Sequence, residues 1–205
     1  MPAAEELDDL DVPSPSKLKA AALPEPPKPP RYSVELESGG GFTLTVSGRR
    51  FPVESSFSYP RGGENRLSAT KGDEQNEPGW RVTTKRVGKD RYEVVAKGKS
   101  YTIQRRIQLY PNRVNVQDTI CNDTNEDLGI ILDNYLDAAS QPYSETTVAG
   151  YPGGVERKES QSPSSFVSWK DFGIGLLPLD DVYIVHSTVY AKDNRAGMKD
   201  DKFGL

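Results

Sequence analysis

The chain has 205 residues, 26 basic and 30 acidic, a net charge of −4, one cysteine and one histidine. Cys121 and His186, each alone, exclude an intramolecular disulfide framework and any zinc site built from several His and Cys ligands, and no metal or cofactor is expected. A mildly acidic balance argues against nucleic acid or an anionic membrane as the main partner, and no stretch approaches the roughly 18 apolar residues of a membrane-spanning helix.

Residues 1–31 hold 8 of the 16 prolines, no glycine and no aromatic residue. They read as a disordered Pro-rich linker or tail, extended over 24–30, with the folded domain expected over 32–205. The acidic start (Glu5, Glu6, Asp8, Asp9, Asp11) is not an export signal. The chain is therefore expected to be cytoplasmic if complete, and extracellular or periplasmic if it is a piece of a larger exported protein.

From Tyr32 the pattern changes to a period of two. Alternating runs predict strands over 32–37, 42–47, 80–87, 91–97, 100–110, 113–122, 128–136, 166–169, 173–177 and 182–190, with no amphipathic helix. About ten strands without helices make an all-β, antiparallel β-sandwich or barrel. Two turn-rich stretches, 61–79 and 141–165, are where such a scaffold is expected to meet a ligand.

The hairpin over 100–122 can be read residue by residue. A turn at Pro111-Asn112 pairs Leu109 with Val114, Ile107 with Val116, Ile103 with Ile120 and Arg105 with Asp118. Two charges in apolar faces thus meet, and each accounts for the other, because either alone would be costly to bury. They are a structural ion pair, or a ligand-binding pair in a cleft. The opposite face is polar throughout: Gln104, Arg106, Gln108 and Tyr110 against Arg113, Asn115, Gln117 and Thr119. Amides and a guanidinium can hold sugar hydroxyls, which donate and accept, although a solvated outer face has the same composition. Asp133, Tyr135 and Asp137 on the next strand are expected to extend this platform. Trp80, Trp169, Tyr143 and Tyr151 are the rings able to stack on sugars or to serve as core.

Candidates for chemistry are few. Asp180 and Asp181 are adjacent on an expected strand, so their side chains point to opposite faces and at most one lines a cleft. His186 is a general base or a hydrogen-bonded structural residue. The Asp123-Thr124-Asn125-Glu126-Asp127 run begins like a calcium loop, but Leu128 and Asn134 stand where the glycine and the bidentate glutamate belong, so a hairpin loop is expected. Gly39-Gly40-Gly41 lacks the partners of a nucleotide loop and reads as a turn or bulge.

Several of these signatures occur together. Tyr101-x-Ile103-x-Arg105-x-Ile107, Asn112-Arg113-Val114-x-Val116-x-Asp118-Thr119-Ile120, Glu126-Asp127-Leu128-Gly129 and Gly175-Leu176-x-Pro178-x-Asp180-Asp181-Val182-Tyr183 resemble the β-supersandwich of galactose-mutarotase-like domains, in particular bacterial ones accompanying polysaccharide-active enzymes. The resemblance implies an accessory role beside a catalytic domain, with further strands expected beyond Leu205. Mutarotase activity in that family uses paired histidines and a glutamate, and this chain has only His186. The expected function is a non-catalytic carbohydrate-binding module whose contacts are Arg106, Gln108, Asn115, Gln117 and Tyr135, with Trp169 as the stacking ring. The rivals are a sugar-active enzyme using Arg105, Asp118, Asp181 and His186, and a structural domain packing on a catalytic neighbour.

Overall fold

The computed structural model describes residues 31–69 and 76–205, so the Pro-rich segment and part of the 61–79 stretch lie outside the described residues. The largest sheet has the order β1 (Tyr32–Leu36), β2 (Phe42–Val46), β3 (Arg49–Ser58), β9 (Gly129–Asp137), β16 (Arg195–Gly204), β15 (Thr188–Lys192) and β12 (Glu156–Lys158), and β4 (Glu64–Leu67) pairs with the second half of β3. A second sheet is β5 (Arg81–Arg86), β6 (Arg91–Lys97), β7 (Tyr101–Tyr110) and β8 (Arg113–Asn122), and a third is β11 (Tyr151–Pro152), β10 (Glu145–Val148), β13 (Ser165–Ser168) and β14 (Gly173–Leu176). The pairings between these strands are antiparallel, as consecutive strands without crossover helices require.

Alternation puts Phe51 and Phe57 of β3, and Ile130, Leu132 and Leu136 of β9, on one face of the large sheet. Both small sheets pack on that face. Phe57, Ile130 and Leu132 meet Val94, Ala96, Tyr101 and Ile103 of the second sheet, whereas Phe51 and Leu136 meet Val148 and Val167 of the third. Two apolar compartments thus share one supporting sheet, and Tyr183 touches both.

Several expectations need correction. The 182–190 run is not one strand: α1 (Asp181–His186) precedes β15. Asp180 Oδ1 accepts from the Tyr183 amide at 3.1 Å and so caps this turn, with Asp181 in the first turn and His186 last. Strands β3 and β16 lie beside β9 at the centre of the large sheet although neither was expected. Pro52 is tolerated within β3 because it precedes Val53, where pairing with β9 begins. The Asp123–Leu128 connection is not a hairpin loop, because it carries the chain from β8 in one sheet to β9 in another. Gly39-Gly40-Gly41, by contrast, forms the expected turn, with the Gly40 amide donating to Glu37 O at 3.0 Å. It presses on the end of β4, with Gly41 donating to Ser68 O and Ser68 donating to Gly39 O, both at 3.0 Å, and Gly40 has a φ of 86°. A Cβ on Gly41 would stand 2.5 Å from the Ala69 amide nitrogen, so only glycine fits there.

Candidate functional site

The β7–β8 hairpin adopts the register that its sequence predicts. Arg105 pairs with Asp118, Arg106 with Gln117, Gln108 with Asn115 and Gln104 with Thr119. The inward face of the hairpin packs on the large sheet, so the polar face looks outward. Strand β6 extends it with Arg91 beside Gln108, Glu93 beside Arg106 and Val95 beside Gln104, and β5 adds Lys85 beside Glu93 and Thr83 beside Val95. Glu93, Val95, Gln104, Arg106, Gln117 and Thr119 border a shallow depression of about 240 Å³. Gln104, Arg106 and Gln117 have no hydrogen-bond partner among the described residues, whereas Gln108 Nε2 donates to Asp90 O at 3.0 Å and Asn115 Oδ1 accepts from Arg113 Nε at 3.3 Å. Free amides and a guanidinium on a pleated surface can serve hydroxyls and anions at once.

Four expected contacts, Arg106, Gln108, Asn115 and Gln117, therefore share one open surface. Two do not join them. Trp169 is core: it stacks on Phe172 with centroids 5.0 Å apart, lies 4.7 Å from Phe51, and donates from Nε1 to Gln141 O at 2.9 Å. Tyr135 is buried on the outer face of the large sheet, where its hydroxyl donates to Glu54 Oε2 at 2.8 Å under the Arg195 guanidinium. Asp133 and Asp137 share that face, so β9 adds nothing to the β7–β8 platform.

That outer face of the large sheet forms a second polar cluster, which the sequence reading missed. Beside the Tyr135–Glu54 pair, Tyr190 donates to Asp133 Oδ1 at 2.9 Å. The Tyr190 ring crosses Gly197, where a Cβ would come within 2.5 Å of it. Burial pushes the Asp133 carboxyl up to about 6, against the opposing pull of the Tyr190 hydroxyl and Lys199. Burial likewise raises both phenols, so the rings stay neutral donors.

Arg105 and Asp118 lie between the sheets as a bidentate pair, with Nε to Oδ1 at 2.7 Å and Nη2 to Oδ2 at 2.6 Å. Arg105 Nη2 also donates to Ser55 Oγ at 2.8 Å. Ser55 Oγ donates to Asn134 Oδ1 at 2.6 Å, Asn134 Nδ2 to the Tyr183 hydroxyl at 3.3 Å, and Tyr183 to Met198 O at 3.0 Å. A polar seam thus divides the two apolar compartments and ties all the members to one another. Asp181 and His186 do not enter it. They are five residues apart on α1, so they lie about 7.5 Å apart along the axis and about 140° apart around it. Among the described residues, no group of three or more His, Cys, Asp or Glu side chains could hold a metal ion.

These features define an antiparallel β-sandwich of three sheets that presents one open, polar sheet face. Comparison of the chain with family models, with curated proteins and with solved structures finds no match.

Proposed function

We propose that the chain is a non-catalytic carbohydrate-binding module of the galactose-mutarotase-like kind, and that it holds glycan on the outer face of β5–β8. The observation that carries this reading is the side-by-side placement of Arg106, Gln108, Asn115 and Gln117 with the unpartnered Gln104, around a shallow depression of about 240 Å³. An extended polymer suits a flat, regular face better than a small molecule does, because each successive sugar meets another strand. The test is affinity electrophoresis through neutral and acidic polysaccharides. Retardation by at least one glycan, lost in the Gln104→Ala/Gln117→Ala variant at unchanged melting temperature, is the expected result. No retardation by any of them overturns the reading.

A second reading, packing on an adjacent catalytic domain, has its own observation. Leu177, Leu179 and Val185, in and just before α1, are 66%, 75% and 58% exposed, the most exposed of the large apolar residues described. The enzymatic reading has no comparable support, since among the described residues no hydrogen bond or ion pair links Asp181 or His186 to the Arg105–Asp118 pair.

A further inference from the structure

The outer face of β5–β8 has a property that hydroxyl recognition does not require. Arg81, Lys85, Arg91, Lys97, Arg106 and Arg113 all stand on it in solvent, with Glu93 as the one carboxylate in the strands of that face. Six cations against one anion give +5 in a chain whose total is −4. None of the six forms an ion pair among the described residues. Elsewhere several surface cations are paired, as in Arg50 with Glu35, Lys192 with Glu156 and Lys202 with Glu159, and the residues outside this face carry the balance of the charge, −9. Charge on this molecule is therefore segregated, and the segregation leaves one face self-repelling unless an anion covers it.

The arrangement is regular. Strands lie about 4.8 Å apart and same-face neighbours about 7 Å apart along a strand. Across the sheet, Arg81 and Lys97 form one row, and Lys85, Glu93, Arg106 and Gln117 another, with Thr83, Val95, Gln104 and Thr119 between them. Arg91 and Arg113 stand at the turn ends of β6 and β8, beside Gln108 and Tyr110. A neutral band of amides and hydroxyls between cationic rows suits a polymer that alternates hydroxyl-rich rings with fixed negative charges. Nucleic acid fits less well. Its bases need open aromatic faces for stacking, and the one ring in these strands that reaches this face, Tyr110, is covered by the Arg113 guanidinium at 4.3 Å.

We infer that the ligand of this face is an acidic polysaccharide, one bearing carboxylate or sulfate groups along its chain. The inference rests on the carbohydrate-binding reading and narrows it. The experiment measures the affinity of the chain for polygalacturonate, heparin, a neutral galactan and single-stranded DNA at two ionic strengths. Three proteins are compared: the unaltered chain, Lys97→Gln/Arg106→Gln and Glu93→Gln. The expected result is binding to one or both acidic polymers, weakened at the higher salt, and about tenfold weaker in the double variant. Glu93→Gln, which removes the one carboxylate that these strands place on this face, is expected to bind several-fold tighter, a gain that misfolding cannot imitate. Binding of the galactan with no effect of charge removal overturns the acidic assignment and leaves the carbohydrate reading intact. Tighter binding of DNA than of either acidic glycan at equal salt overturns the assignment in favour of nucleic acid. No binding to any polymer overturns both readings.

Discussion

Asp133 shows how much of a residue's chemistry is set by where its strand lies. It is a β9 carboxylate that receives the Tyr190 hydroxyl and is pushed up to about 6 by burial. In the unfolded chain the same group titrates near 4. The folded state therefore holds the proton more tightly, and the stability that Asp133 contributes is fully present below about pH 4 and lost as pH rises through about 6. The loss is on the order of 3 kcal/mol. Comparing melting temperatures of the unaltered chain and Asp133→Asn across this window isolates the effect, since other carboxylates cancel in the difference. The variant is expected to gain stability relative to the unaltered chain as pH rises from about 4 to about 6. A constant difference would contradict a buried Asp133. Tyr190→Phe removes a hydrogen bond that favours the charged form, and so should move the window to higher pH.

At the scale of elements, the β7–β8 hairpin is the part most legible in the sequence. The Pro111-Asn112 turn fixes its register, and its two faces alternate without interruption. Strand β16 was not legible because the charged Asp200 takes an inward position opposite Leu132, where alternation calls for an apolar residue, and the pairing with β9 shifts between Asp200 and Phe203. A signal was nevertheless present: Asp193 and Asn194, with φ of 52° and 57°, make the two-residue turn that joins β15 to β16, and Ser47-Gly48 does the same between β2 and β3. The 182–190 run reads as a strand because its β-branched residues alternate, yet the Asp180 cap sets a helical turn first. Trp169 and Tyr135 were misplaced for another reason. Period two gives the face of a strand but not the sheet it joins, and the six-residue link after β8 could equally have turned back. The Arg105–Asp118 pair carries the element-scale prediction. It anchors the hairpin to Ser55 of the large sheet, and Arg105 has a side-chain exposure of 1% against 18% for Asp118. Asp118→Ala strands a buried guanidinium and is expected to cost about 3 kcal/mol in urea unfolding. A loss below about 1 kcal/mol would mean that water replaces the carboxylate and that the seam does not hold the sheets together.

For the whole molecule, net charge is a poor guide to partners. A total of −4 conceals a face with six cations and one carboxylate, which becomes visible only once four strands are laid side by side in register. The polar face of one hairpin was legible in the sequence, whereas its continuation onto β6 and β5 was not, because pairing beyond the hairpin depends on sheet order. The buried seam and the outer cluster on the large sheet are held by their own hydrogen bonds, while the β5–β8 face keeps Gln104, Arg106 and Gln117 without partners in the described residues. Backbone amide shifts recorded by NMR during titration with an oligogalacturonate distinguish these surfaces directly. The account predicts saturable shifts concentrated at Glu93, Gln104, Arg106 and Gln117, with Asp133, Tyr135 and Tyr190 unmoved. Shifts centred on Asp133, Tyr135 and Tyr190, or no shifts at saturating oligosaccharide, would contradict it.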